Sequence, residues 1–188
     1  MPIEKIFSDL STHMIQGMMT HEQLMNSYRF LGLQGYAACH EYHYLSEAKG
    51  YVTLCRYKAE HFSSIVKSGR PSDPAIIPDS WYGKRMEEVN PKTRREAMEA
   101  ALSEWIRWEE STLSLYSSVY KDLLDLGLID FAEFVKSYVV DVSDELVYAR
   151  NEFLQKSAMD FDIVSVLEEQ DKVERSFKKK IRRLYGNY

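Results

Sequence analysis

Glu109 and Glu145 are the residues best placed to do chemistry. From Leu102 the apolar positions step in threes and fours through Ile106, Leu113, Tyr116, Tyr120 and Leu123, one face of an α-helix, and the gap in that series falls on Glu109. A second stripe follows Asp125-Leu126-Gly127-Leu128, through Phe131, Phe134, Tyr138, Val142, Tyr148 or Ala149, and Phe153; its interruption is Glu145. Gly127 suits the left-handed residue that ends one helix and lets the next fold back. Each glutamate is eighteen residues from Gly127, so straight antiparallel helices bring both carboxylates to one height. A buried carboxylate is costly unless it is paired, protonated or bound to a cation. Two facing ones point to a metal site, or to a proton held between them.

The elements that must position them are helices. Residues 3–31 read as a first helix, with Ile15, Met18, Met19, Glu22, Met25 and Tyr28 on or beside one stripe. Gly32-Leu33-Gln34-Gly35-Tyr36 reads as a turn, because closely spaced glycines are poor helix interior. A second helix over 36–66 carries the row Ala38, Glu41, Leu45, Ala48, Val52, Cys55, Ala59, Phe62 and Val66, and Gly50 either bends it or divides it. Residues 69–93 hold four of the five prolines and little periodicity. They fit an overhand crossover that makes the second and third helices parallel, with Trp81 and Tyr82 pinning it to the bundle. Thr93 with Glu96 suits a capping box for the third helix. A last helix over 158–184 has a weaker stripe of Phe161, Val164, Leu167, Phe177, Ile181 and Leu184. No strand-like alternation is present, so the fold class is all-α and the chain, 1–188, is one domain.

Glutamates therefore interrupt four helical stripes, Glu22, Glu41, Glu109 and Glu145, and Glu22 and Glu41 stand ten and nine residues from Gly32. Carboxylates from four helices neutralise and bridge a pair of divalent cations, iron or manganese above all. With Gly32-Leu33-Gln34-Gly35-Tyr36 between the first two helices and Ala97-Met98-Glu99-Ala100-Ala101-Leu102 opening the third, the chain resembles the ferritin-like superfamily, ferritins and mini-ferritins. The resemblance runs over roughly residues 12–180 and implies a four-helix bundle with a long crossover between helices 2 and 3 and an extra C-terminal helix. It further implies a ferroxidase centre of two irons per chain, with manganese the alternative, and a homo-oligomeric assembly. Counting from the turn as in ferritins selects Glu47 in place of Glu41 and brings the first-helix position near His13. The family's Glu-x-x-His is absent: Tyr44 follows Glu41 at that spacing, and Tyr148 follows Glu145. His21 and His40 each precede a candidate glutamate and could serve a site between subunits, whereas His43 and His61 read as surface or core-edge residues. Two other readings stay open, a non-enzymatic helical interaction bundle that has lost the metal, and a DNA-binding mini-ferritin.

Composition narrows the classes. The chain is 45% hydrophobic, has a net charge of −5 and shows no apolar run long enough to span a membrane. No signal-peptide pattern opens it, so a cytoplasmic location is expected. Cys39 and Cys55 read as reduced core residues rather than a disulfide framework. Residues 172–188 hold seven basic residues against one acidic, leaving 17 against 28 in the rest. Such a tail can neutralise nucleic-acid phosphate, but a solvated face complementing the helix dipole is favoured. No Gly-rich phosphate loop, Ser-His-Asp motif or Cys-x-x-Cys pair is visible.

Overall fold

The computed structural model describes residues 2–72, 85 and 88–185, and every regular element among them is a helix. They are α1 (Ile3–Phe30), α2 (Gln34–Phe62), α3 (Pro91–Asp125), α4 (Ile129–Ser157), a short α5 (Ile163–Leu167) and α6 (Gln170–Tyr185).

The two tight turns are built alike. Gly32 (φ 77°) and Gly127 (φ 70°) take the left-handed conformation expected of a residue just past a helix end. In each, the following leucine N–H reaches back to the last turn: Leu33 to Tyr28 O and Leu128 to Leu123 O, both closing the Schellman pattern. Each Leu-Gly-Leu thus folds a long helix back on its predecessor and makes a hairpin, α1 with α2 and α3 with α4.

Two apolar clusters show how the hairpins pack. One joins Leu24 and Tyr28 of α1, Tyr36 and Cys39 of α2, Met98, Leu102 and Trp105 of α3, and Ala149 of α4. The other joins Phe7, Leu10 and Met14 of α1, Leu54 of α2, Val119 and Leu123 of α3, and Phe131 and Val135 of α4. The end of α1 therefore lies with the start of α3, and α2 and α3 run in the same direction. Beyond the left-handed Ser63 (φ 48°), the chain climbs along α1: Gly69 N–H donates to Thr12 Oγ1 (2.5 Å) and Ser72 N–H to Gln16 Oε1 (2.7 Å). Trp81 and Tyr82, expected to pin this connection, lie outside the described residues.

Several expectations are corrected. The buried row of α1 is Phe7, Leu10, Met14, Gly17, His21, Leu24 and Tyr28; apart from Tyr28, which the two share, it lies one residue away from the row read through Glu22. In α2 it is Tyr36, His40, His43, Gly50, Leu54 and Lys58, while Val52 is 55% exposed. Four of those six are histidine, glycine or lysine, so apolar periodicity pointed away from this face. Gly50 does not divide α2, which runs unbroken through it. Asn90 rather than Thr93 caps α3, its side chain accepting from Thr93 N–H (2.8 Å) with Pro91 at the first helical position. The last helix is two: Asp160 and Phe161 are left-handed (φ 51° and 50°), Asp162 caps α5, and α6 begins at Gln170. Cys39 is buried and Cys55 only partly so, and both are free.

The backbones of the two hairpins meet most closely along α1 and α3, and α6 lies against α2. Gln170 Oε1 anchors α6 by accepting from Gly35 N–H (2.9 Å) and Tyr36 N–H (3.2 Å), two donors that the start of α2 leaves free.

Candidate metal centre

Between the two apolar clusters lies a polar layer fed by all four long helices. α1 supplies His21, α2 supplies His40, His43 and Glu47, α3 supplies Glu109, and α4 supplies Glu145. The spacing that turns each inward is helical: His40, His43 and Glu47 fall three and four apart along the buried face of α2. Gly17 leaves the space Glu47 uses, since a Cβ there would stand 2.8 Å from Glu47 Oε1.

Glu109 is 1% exposed, and Trp105 Nε1–H donates to its Oε1 at 3.0 Å. His21 Nε2 is 4.0 Å from the same oxygen. On its other side, His21 Nδ1 lies 3.1 Å from His40 Nδ1, so one ring N–H donates to the other ring's lone pair. His40 Nε2 is buried with no hydrogen-bond partner. His43 Nδ1 meets Glu145 Oε1 at 3.1 Å, and the His21 and His43 ring centroids are 5.2 Å apart.

Burial sets the charge state of this layer. It holds the His21 and His40 pKa values well below the ordinary 6.5, and neighbouring imidazoles push the same way. It lifts Glu109 well above the usual carboxylate range, aided by the charges of Glu145 and Glu47 and opposed by the Trp105 hydrogen bond. Glu47 is raised likewise, by burial and then by Glu145. Neutral imidazoles are good metal ligands, and crowded carboxylates are those a cation relieves most. His13 stands outside the layer, stacked on Trp108 at 4.3 Å with Nε2 2.7 Å from Thr112 Oγ1, and burial lowers its pKa to about 4.

The glutamates read from sequence divide. Glu109, Glu145 and Glu47 converge on the layer. Glu22 is exposed, and Glu41 is partly exposed and pairs with Arg29 at 3.2 Å, so neither reaches it. In their places stand His21 and His40, each one residue earlier, and His43, expected at the surface or the core edge, is buried. The signal that finds them is His40-x-x-His43 in register with Gly50, Leu54 and Lys58 on one helical face. His61 is exposed and stacks on Tyr57, as its edge placement implied.

His21 pairs with His40 and His43 with Glu145, and among the described residues no three His, Cys, Asp or Glu side chains already stand in a metal-holding arrangement. The donor set nevertheless fits a divalent transition metal: imidazole nitrogen suits iron, zinc and copper, carboxylate oxygen suits manganese, and the orphaned His40 Nε2 is a spare ligand nitrogen.

A small cavity of about 40 Å³ touches His21, His43, Glu47, Tyr116, Tyr138 and Glu145. A larger one of about 730 Å³ opens beside it, between α2 and α4 under α6, and shares Tyr42, His43, Asp141 and Glu145. Comparison with protein families, curated proteins and solved structures found no match for this chain. Among the described residues, no helix is long and apolar enough to cross a membrane.

Proposed function

We propose that this chain is a ferritin-like four-helix bundle whose polar layer binds a divalent transition metal, iron first and manganese second, for iron oxidation or storage. The observation that carries the reading is the convergence of three imidazoles with buried Glu109, and with Glu47 and Glu145, from four helices. The parallel α2 and α3 joined by a long connection fit the ferritin-like helix order. The ligands that fit are His21, His40, His43, Glu47, Glu109 and Glu145, with Glu22 and Glu41 left out. Iron, when bound, would supply redox chemistry toward dioxygen or peroxide. Trp105 holds the Glu109 carboxylate in place, and the His43 Nδ1–Glu145 Oε1 contact sets two of these ligands against each other. Exposed Val140, Val147 and Leu154, seven residues apart on α4, offer a seam for a homo-oligomer.

Metal content by mass spectrometry, after anaerobic Fe(II) loading and desalting, tests this. Wild type and the Glu22→Ala/Glu41→Ala variant should retain the same iron, and Glu109→Gln/Glu145→Gln should lose it. Oxygen uptake on adding Fe(II) to the retaining proteins then separates oxidation from simple binding. A folded wild type that retains none supports a second reading, a metal-free interaction bundle. What favours that reading is that the donors already satisfy one another, His21 with His40 and His43 with Glu145. A nucleic-acid role for the tail is favoured less: Lys178 pairs with Glu174 at 2.5 Å and Lys180 is turned onto the bundle's rings.

A further inference from the structure

The cavity of about 730 Å³ is of ordinary ligand-pocket size, roughly 300–1,000 Å³. Its walls differ in character. Tyr42, Tyr148 and Phe177, from α2, α4 and α6, make an aromatic lining, and α4 contributes a carboxylate row, Asp141, Asp144 and Glu145. Asp141 and Asp144 have no ion-pair partner among the described residues, and burial, then the charges of Glu145 and Asp144, raise the Asp141 pKa above its ordinary value. Glu169, also in the wall, is already neutralised by buried Lys156 at 2.9 Å.

Aromatic faces beside free carboxylates are what an organic cation needs, a quadrupole for its charge and hydrogen-bond acceptors for its N–H groups. The structure shows a cation already using these faces. The Lys180 ammonium, on an exposed side chain of α6, lies 4.5 Å from the Phe177 ring centroid and 5.5 Å from that of Tyr42. Lys180 thus occupies, from within the chain, the place that a ligand cation would take. Lys172 of α6 also stands in the wall, but the carboxylates of Asp141, Asp144, Glu145 and Glu169 outnumber the Lys172 and Lys180 ammonium groups four to two, which favours a cation over an anion. A neutral polar molecule would gain little from either feature.

We infer that the cavity under α6 is a binding site for an organic cation with an apolar body, an arylalkyl amine in class, set against His43 and Glu145 at the edge of the polar layer. That such a cation is acted on there rests on the metal reading; that it binds does not.

Calorimetric titration of the full chain with 2-phenylethylamine tests the inference, with 2-phenylethanol and 3-phenylpropanoate as neutral and anionic counterparts. The amine should bind at least tenfold more tightly than either counterpart. Asp141→Asn/Asp144→Asn should weaken it about tenfold. Lys180→Met, a change at an exposed position, should strengthen it severalfold by removing the internal competitor. Glu109→Gln lies outside the cavity, so it should leave amine binding unchanged even where it abolishes metal retention. Amine binding without metal retention in wild type keeps the pocket and rejects the metal centre. Equal binding of amine and alcohol, or no amine binding by a folded Lys180→Met protein, would overturn the inference.

Discussion

Glu109 and His13 pull the protein's pH response in opposite directions. The folded-state pKa of Glu109 is raised above the ordinary 4.5, so the folded protein keeps a proton that the unfolded chain releases. That contribution is complete below pH 4.5 and is lost as pH rises toward the raised value. Glu109→Gln keeps the shape and removes the titration. In metal-free protein, the urea midpoint of the variant should therefore gain on wild type as pH rises above 4.5, and a constant difference would contradict the burial of this carboxyl. His13 works the other way: its stabilising contribution is present above pH 6.5 and is lost as pH falls toward about 4. A His13→Gln variant should lose less stability than wild type over that interval. The sequence located Glu109 because Leu102, Tyr116 and Leu123 fix the inward face of α3 with large apolar side chains. It missed His21 and His40 by one position because Gly17, Gly50 and the histidines themselves occupy the inward face of α1 and α2. A slip of one residue turns a helical side chain by about 100°, enough to replace Glu22 and Glu41 with their neighbours.

The hinge-like elements were easier to read than the final helix. Two glycines after apolar helix ends announced both hairpin turns, because only a residue without Cβ takes a left-handed φ there cheaply. The C-terminal break was hidden: Asp160 and Phe161 adopt left-handed backbone without a glycine, and the cap of α5 is a single aspartate. Docking of α6 depends on a close approach that a composition cannot show. A Cβ on Gly35 would lie 2.7 Å from the Gln170 carbonyl oxygen, a backbone atom with no freedom to swing aside. Gly35→Ala should therefore push α6 off the start of α2 and break the Gln170 hydrogen bonds, at a cost of about 1–3 kcal/mol. Limited trypsin digestion should show faster cleavage in Lys178-Lys179-Lys180 than in wild type. Unchanged cleavage would mean that α6 is held by Phe177 and Val173 alone.

At the scale of the whole molecule, the core is two apolar clusters separated by a polar waist, so the middle of the structure contributes least hydrophobic stabilisation. A ligand of that waist has correspondingly much to add. At a free concentration one hundred times its Kd, a metal that binds only the folded state adds about 2.7 kcal/mol. For a domain of this size that is a rise in Tm of roughly 5–10 °C. Mn(II), which is not readily oxidised, should produce it in a thermal scan of wild type and not of Glu109→Gln. The directions of the helices were legible from the length of the 69–93 connection, whereas the opening between α2 and α4 was not, since it depends on where α6 comes to rest. The division of the donors between hairpins carries a kinetic consequence. His21, His40, His43 and Glu47 come from one hairpin, Glu109 and Glu145 from the other, and each hairpin can close through contacts local in sequence. Their association must wait for a connection of nearly thirty residues to find its path. Neither hairpin alone therefore holds the whole donor set: the imidazoles and Glu47 can assemble within the first, and Glu109 and Glu145 join them only when the two halves meet.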